Sequence, residues 1–309
     1  MSGPAGDALD SPARRVPGRR MDQATELVKW ALGKAASLWL GPQVAGSAIA
    51  VLLVLLLAVR VRFGREWMRA LRSRPVRTDA TYAVFYAGGF YAFVVAGPAY
   101  RFLTALVERH VPGLQLHLLA HLPVYTQFFV ASVVMDGVLY WTHRLLHRNR
   151  WLWAFHSVHH SQRDLTGISN FRFHFVDVFV RGLAQFVPGL LLGLPAYVWL
   201  PSVWIQVALD CLAHSGLGWG YGPLGSVIVS PAFHRVHHSA DPAHYNTNYG
   251  MTYSFWDRLF GTASAQPEAP SRYGVPHLEV PESFTRQLAF PFLFIAGAVP
   301  SPDPREGEP

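Results

Sequence analysis

The chain has 309 residues, of which 51% are hydrophobic and only 15% charged, against roughly 25% charged in an ordinary soluble domain. Its formal charge of +7 comes from 26 basic residues, of which only Lys29 and Lys34 are lysines. The composition argues against an ordinary soluble domain. It also argues against a nucleic-acid partner, because the arginines flank apolar stretches, where anionic lipid headgroups are the simpler partner. The single cysteine, Cys211, excludes an intrachain disulfide and reads as a small buried residue.

Residues 1–22, rich in Pro, Gly, Ser and Arg, read as a disordered tail with no apolar signal core. Residues 25–40, with Trp30 and Trp39, form a weakly amphipathic segment, either an interfacial helix or a packing helix. Four almost uncharged stretches follow: 44–59, 80–100, 122–135 running on to 140, and 178–213. They approach the roughly 20 residues that cross a bilayer as a helix. In the last of them Pro188, Gly189, Gly193 and Pro195 fall near the middle, so it reads as a hairpin of two helices. Residues 284–299 are apolar but interrupted by Pro291, which favours a re-entrant or surface-lying segment. Residues 301–309 read as a second disordered tail.

Arg60, Arg62, Arg65, Arg69, Arg72, Arg74 and Arg77 fill the loop after the first apolar stretch, and the positive-inside rule places that loop in the cytoplasm. The histidine-rich segments after the third stretch and after the hairpin then share that side. Arg14, Arg15, Arg19 and Arg20 disagree with this parity, unless residues 44–59 do not cross. The expected fold is all-α: an integral-membrane helical bundle of about four spans with a cytosolic helical cap. The expected divisions are 1–22, an N-terminal membrane region 23–124, a histidine-rich region 125–262, and a C-terminal segment 263–309.

Ten of the 15 histidines fall between His143 and His238. They form His143-x-x-x-His147, His156-x-x-His159-His160, His174, His214, and His234-x-x-His237-His238. On a helix, residues three and four apart share a face, so each cluster can aim its ring nitrogens at one point. The eight clustered histidines exceed the four ligands of a closed zinc site, which favours two metal ions, and imidazole suits iron, zinc, copper or nickel. His143 and His147 continue a helical stripe with Asp136 and Tyr140, and Asp136 is placed to accept a ring N–H. A lone His-x-x-x-His fits a solvated helix face equally well. The His-x-x-His-His pattern, recurring with a Phe before the first histidine and a Ser after the last in both copies, is harder to explain without a ligand. His174, near Asp177, and His214, near Asp210, either complete a coordination sphere or orient a ligand. His117 and His121 have the spacing of the first pair but fall on the opposite side of the membrane and read as incidental. His110, His244 and His277 are isolated.

The runs Asp136-x-x-x-Tyr140-Trp141-x-His143-Arg144-x-x-His147 and Leu152-Trp153-x-x-His156-x-x-His159-His160-Ser161 resemble the sterol desaturase and fatty acid hydroxylase superfamily of integral-membrane di-iron oxygenases. The segments Arg172-x-His174 with Asp177, His214-Ser215, and Pro231-x-x-His234-x-x-His237-His238 continue the resemblance. So do Asp241, Asn246-Thr247-Asn248-Tyr249-Gly250 and Trp256-Asp257-Arg258-Leu259-Phe260-Gly261-Thr262. Phe175 replaces the usual Pro, Asp177 the usual Glu and Gly216 the usual Asn.

The resemblance, over residues 125–262, implies two iron ions held by the ten histidines and dioxygen as co-substrate. Asp136, Tyr140, Asp177, Asp210 and Asp241 would lie around the ligands. It implies a membrane lipid substrate, of sterol or fatty acyl type, that is hydroxylated or desaturated. Electrons would come from a separate electron-transfer protein, for which Arg144, Arg148, Arg150 and Arg163 are a candidate contact. The arginine bias suggests a bacterial plasma membrane, with the site facing the cytoplasm. Two alternatives stay open: a pterin-dependent ether-lipid monooxygenase of the same superfamily, and a zinc-binding membrane transporter or hydrolase.

Overall fold

The computed structural model describes residues 60, 63–114, 116–193, 196–266 and 268–299, all within the unit Ala48–Pro309. The expectations for residues 1–22, 25–40, 44–59 and 301–309 lie outside them. Helices dominate, and among the described residues the only β pairing is two isolated bridges, Ile228 with Tyr253 and Ser239 with Tyr273. The helices are α1 (Trp67–Leu71), α2 (Arg74–Ala87), α3 (Gly97–His110), α4 (Val124–Arg148), α5 (Arg150–His160), α6 (Phe175–Leu192), α7 (Ala196–Ala213), α8 (Pro231–His237), α9 (Phe255–Leu259) and α10 (Phe284–Ile295).

The third apolar stretch is the first part of α4, which runs on through the first histidine pair. The hairpin is α6 and α7. Pro188 and Gly189 stay inside α6, and Gly193, in the left-handed conformation at φ +59°, ends it. That conformation crowds any Cβ, so a glycine is the natural stop. Residues 80–100, by contrast, are not one helix. The chain turns at Gly88 and Gly89, where Gly89 takes φ +77°, and resumes through a π turn, Ala92–Ala96, into α3. The composition of that stretch hid a break that the Gly-Gly pair causes.

Among the described residues, α4 and α6 are long and apolar enough to cross a membrane. Only 17% of the apolar window of α6 is buried, unlike the core helix of a soluble protein. Tyr125 and Phe129 on α4, and Leu183 and Val187 on α6, are exposed. α10 is too short to span; Gln287, Phe290 and Pro291 are buried in it. Phe290 packs with Tyr82 of α2, Val158 of α5 and Leu278, each fully buried apolar side chain stabilising by about 1.5–3 kcal/mol. A second cluster joins Val76 and Ala83 of α2 to Ile168 and the buried Cys211 of α7.

Two features aim the histidine helices. Asn149 both ends α4 and starts α5: its extended backbone bends the chain, and its side chain accepts N–H bonds from Trp151 and Leu152. This N-cap satisfies two of the donors that a helix start leaves open. The loop before α6 is tied down by a buried ion pair between Arg172 and Asp79 of α2, and Asp79 also accepts from Ser169.

Candidate metal centre

The elbow at Asn149 folds α5 back against the end of α4. α8 follows a proline-started turn in which Ser230 accepts from the Phe233 N–H. Two sets of histidines result. His143, His147, His156, His160 and His237 form one, and His159, His214, His234 and His238 the other, with the ligand atoms of each set lying within 4.8 Å of one another. All nine residues are buried.

Each His-x-x-His-His motif is divided between the sets. In α5, His156 and His160 join the first set and His159 the second; in α8, His234 and His238 join the second and His237 the first. The expectation that each cluster aims at one point holds for His143 and His147 and is corrected for both His-x-x-His-His motifs. The i and i+4 rings lie one above the other, whereas the i+3 ring lies to the side and reaches the neighbouring set.

The other ring nitrogens show what the sets are built for. Nδ1 of His143 donates to the Tyr249 carbonyl at 2.8 Å, that of His237 to the Thr247 carbonyl at 2.8 Å and that of His214 to the Asp210 carbonyl at 2.7 Å. His159 Nδ1 donates to the Arg172 carbonyl at 3.3 Å, and His156 Nδ1 to the Asp177 carboxylate at 2.6 Å. In a neutral imidazole this leaves the Nε2 lone pair free. Yet His143 Nε2 lies 3.0 Å from His156 Nε2, and His159 Nε2 lies 3.2 Å from His214 Nε2. Two lone pairs face each other at each contact with no proton between them.

Nε2 of His147, His160 and His237, and Nδ1 of His234 and His238, are buried without a partner. An orphaned buried polar group costs about 1–3 kcal/mol. A cation at each centre separates the facing lone pairs and gives Nε2 of His147, His160 and His237 a partner; Nδ1 of His234 and of His238 is not served by it, because the Nε2 atoms of those rings are the ones that converge. With metal–nitrogen distances of about 2.0–2.1 Å, two imidazoles on one ion stand roughly 3 Å apart, as these rings do. Burial also keeps the rings neutral: it pushes His237 down to about 3 and His214 to about 4, and holds His159, His160, His234 and His238 well below the ordinary value. Neutral imidazole is the form that binds metal.

The surrounding carboxylates divide. Asp177 behaves as expected, accepting from His156 and, at 2.6 Å, from Arg181 Nε. Asp136 takes no histidine ring N–H; it accepts the backbone N–H groups of Thr252 and Tyr253 at 2.8 and 3.2 Å and so anchors the loop that carries Tyr249. Tyr140 bonds Thr262 Oγ1 at 2.8 Å and stacks on Phe260. For Asp210 it is the backbone carbonyl, not the carboxylate, that holds His214. Asp241 accepts from the Ala243 N–H and starts the short turn Pro242–His244, touching no ligand.

His174 is not brought to either set. Its Nδ1 accepts the Val176 N–H at 3.2 Å, capping α6, and its Nε2 donates to the Leu288 carbonyl at 3.1 Å. His117 sits apart as well, against Gly193.

The fatty acid hydroxylase family model matches residues 128–262. An ornithine lipid hydroxylase of Rhizobium tropici is 32% identical over 74% of this chain and 69% of its own length. The chain belongs to the fatty acid hydroxylase family. Human alkylglycerol monooxygenase is 28% identical over 48% of this chain and 33% of its own length. A Delta(7)-sterol 5(6)-desaturase of Aspergillus fumigatus is 30% identical over 45% of this chain and 40% of its own. No solved structure matches. As a member of this family the chain is an oxidoreductase, a lipid oxygenase of the histidine-rich kind.

Several residues of this fatty acid hydroxylase chain act where the residue pattern assigns no role. Asp257 accepts from the N–H groups of Tyr249 and Gly250, each at 2.7 Å, and from Thr262. Asn246 and Asn248 take left-handed conformations at φ +59°, which asparagine tolerates. Between them they turn the Thr247 and Tyr249 carbonyls toward His237 and His143. Gly250 is required, because a Cβ there would lie 2.7 Å from the Tyr253 carbonyl oxygen and 2.8 Å from Asp257. The signal was the Asn-x-Asn-x-Gly sequence itself, a turn signature.

Proposed function

We propose that this chain is a di-iron, dioxygen-dependent oxygenase that hydroxylates a membrane lipid carrying a polar headgroup. One iron would be held by His143, His147, His156, His160 and His237, the other by His159, His214, His234 and His238. The observation that carries the reading is the reciprocal division of the two His-x-x-His-His motifs between two buried sets whose lone pairs converge. When bound, a pair of irons activates dioxygen for attack on an unactivated C–H bond.

The chain's own residues supply placement. Asp177, itself held by Arg181, fixes the tautomer and ring angle of His156, and a partner of this kind raises ligand basicity. The carbonyls of Tyr249, Thr247, Arg172 and Asp210 do the same for four other rings. Asp136 and Asp257 brace the loop on which two of those carbonyls stand. Burial of all nine rings excludes bulk water from the reacting centre.

The apolar flanks of α4 and α6 support insertion in a bilayer, and about four spans with a cytoplasm-facing histidine cap in a bacterial plasma membrane fit the arginine distribution. A lipid then reaches the span ends without leaving the membrane. Electrons come from a separate carrier, for which Arg144, Arg148 and Arg150 at the α4–α5 elbow offer the contact. Hydroxylation is favoured over desaturation because a lipid hydroxylase is matched over 69% of its own length, against 40% for the sterol desaturase. The test is lipid profiling of a host with and without the gene: a gain of one oxygen on a lipid supports the proposal, and loss of two hydrogens refutes hydroxylation.

A second reading, a pterin-dependent ether-lipid monooxygenase, is favoured by the alkylglycerol monooxygenase relatives. Turnover that requires an added reduced pterin, with protein redox carriers present, separates the two. Family membership sets aside the transporter and hydrolase readings.

A further inference from the structure

The chain after α8 lies alongside the span of α4. The Tyr253 hydroxyl meets Ser132 Oγ at 3.0 Å, Asp136 accepts the Thr252 and Tyr253 N–H groups, and Phe260 packs on Trp141 with ring centroids 4.7 Å apart. Between these contacts a Cβ on Gly137 would stand only 2.9 Å from the Trp256 ring, so glycine lets the two segments meet closely. Ser132 and Trp141 are separated by roughly 13 Å of helix. A helix crosses the hydrocarbon in about 20 residues; counted from Val124, the start of α4, that reaches His143. The segment from Thr252 to Phe260, α9 included, therefore stands at bilayer depth when α4 is inserted.

Its surface suits that depth. Leu259 of α9 is 65% exposed, and Phe260 beside it is exposed too. The turn Gly222–Ser226, between α7 and α8, is fastened to the same segment. The Gly225 carbonyl accepts from Ser254 Oγ at 2.8 Å and from Arg258 Nη2 at 3.3 Å, and the Val227 carbonyl accepts the Ser254 N–H at 3.0 Å. This turn presents Leu224 at 53% and Val227 at 44% exposure. On α4, Val134, Trp141 and Leu145 are exposed, and with Val138 they follow spacings of four, three and four along one helix face. Three elements far apart in sequence thus turn large apolar side chains outward. Apolar surface gathered in this way marks contact with a membrane or a protein.

Lipid is the partner that the backbone favours. Irregular chain at membrane depth must satisfy its polar groups internally. Here the Val229 N–H donates to the Thr252 carbonyl at 2.9 Å, the Val227 N–H to the Leu224 carbonyl at 2.9 Å, and Ser226 Oγ to the Pro223 carbonyl at 2.7 Å. A protein interface carries hydrogen bonds across it, whereas this turn uses its groups on itself. We infer that the turn Gly222–Ser226 and α9 form a wedge sunk into the leaflet on the histidine side, with Leu224, Val227, Leu259 and Trp141 against lipid chains. Arg144, 5.3 Å over the Trp141 ring, and Arg148 one turn on mark the headgroup level, where long basic side chains extend to water and remain open to a carrier from the cytoplasm. The membrane boundary on α4 then lies at Arg148. The metal centre lies at headgroup level, because His143 and His147 are on the buried reverse of the turns that expose Trp141 and Leu145. The inference rests on the insertion of α4 and not on the oxygenase chemistry.

The experiment is spin labelling of single cysteines in the full chain, held in nanodiscs of phosphatidylcholine and phosphatidylglycerol. Cys211, the only native cysteine, is buried and stays in place. Labels are placed by Leu224→Cys and Leu259→Cys, with Phe129→Cys on the span and Glu279→Cys in the exposed chain after α9 as references. Relaxation by oxygen, which partitions into hydrocarbon, is compared with relaxation by a water-soluble nickel chelate. The two wedge labels should follow the Phe129 label, with oxygen dominant and the nickel effect lost, while the Glu279 label shows the full nickel effect. Brominated lipid chains should also quench Trp141, read as the difference between wild type and Trp141→Phe, more strongly from positions near the headgroup than near the chain end. No quenching of Trp141, or dominant nickel at both wedge positions with dominant oxygen at Phe129, would overturn the inference and leave insertion standing. Dominant nickel at Phe129 as well would overturn insertion with it. Protection from nickel that appears only on adding an acidic redox protein, or spin–spin broadening that unlabelled chain dilutes away, would show a protein on this face and overturn the inference too.

Discussion

The two ends of α4 share one pattern, apolar side chains outside and polar ones inside, but each end calls for a different partner. Toward its start, Tyr125 and Phe129 face outward while Gln127 and Ala131 are buried; toward its end Asp136, Tyr140, His143 and His147 are buried while Trp141 and Leu145 are exposed. One helix therefore carries apolar groups to the outside and polar groups to the inside. In water this order is unfavourable at both ends. It becomes favourable when hydrocarbon covers the first part and metal ions fill the second, because each environment supplies the partner that the exposed or buried groups lack. Insertion and metal binding are therefore separate requirements on the same helix, and each can be broken alone.

The largest effect is expected at the ligands. His159→Ala and His237→Ala each remove one imidazole, but from different sets. Both should abolish turnover while leaving membrane insertion intact, and each should lower iron from two per chain toward one. Near-normal turnover in either variant, measured on purified protein with saturating reductant, contradicts the assignment. At the other end of the helix, Phe129→Arg places a charge on the outward face of α4. It should impair insertion by about 2.5–3.5 kcal/mol, read as membrane-integrated fraction, and spare iron binding in whatever protein inserts.

Asp177→Asn leaves His156 without its carboxylate and Arg181 without its counter-charge. Loss of such a partner commonly reduces metal affinity or activity by about 10–100-fold, which an iron-chelator competition assay would read. An unchanged affinity would separate Asp177 from the metal centre. Gly250→Ala should act by a different route, moving the loop that presents the Tyr249 and Thr247 carbonyls, with an overpacking cost of about 1–3 kcal/mol. A thermal melt checks it.

Acid should break the polar end first. Burial lowers the folded-state values of the histidines, to about 3 for His237 and about 4 for His214, below the unfolded value of 6.5. Between those limits the unfolded chain binds more protons than the folded one. Stability and metal retention should therefore be complete above about pH 6.5 and fall progressively as pH drops toward 4. A metal-retention titration that stays flat across this window would contradict the burial argument. The smallest effect is expected at His174: His174→Ala loses an N-cap worth about 1 kcal/mol and should leave iron content unchanged.

Much of the site was legible because ligand chemistry is carried by residue type and spacing. Nine of the ten histidines singled out from the sequence converge, and Asp177 accepts the His156 ring N–H as the pattern suggests. The division of each motif was not legible, because helical spacing says which rings share a face but not where a second helix will place its own. His174 was misleading for a related reason: beside Asp177, its spacing suits a ligand or a helix cap equally, and only the tertiary contact with Leu288 decides. Asp136, Asp241 and Asp210 look alike in sequence, yet they anchor a loop, start a turn and lend a backbone carbonyl respectively. Among apolar stretches, the hairpin could be read from its glycine stop, while the break at Gly88 and Gly89 was masked by continuous hydrophobicity on both sides.

The central claim is that the nine histidines hold two ions in two interlocked sets. It is tested most directly by counting iron per chain, with Mössbauer spectra, in protein purified after growth on ⁵⁷Fe. The account predicts two irons per chain as a coupled pair, reduced to an uncoupled single iron by either His159→Ala or His237→Ala. A single iron in the wild type, or simultaneous loss of all metal-dependent signal from one variant with no change in the other, would contradict it.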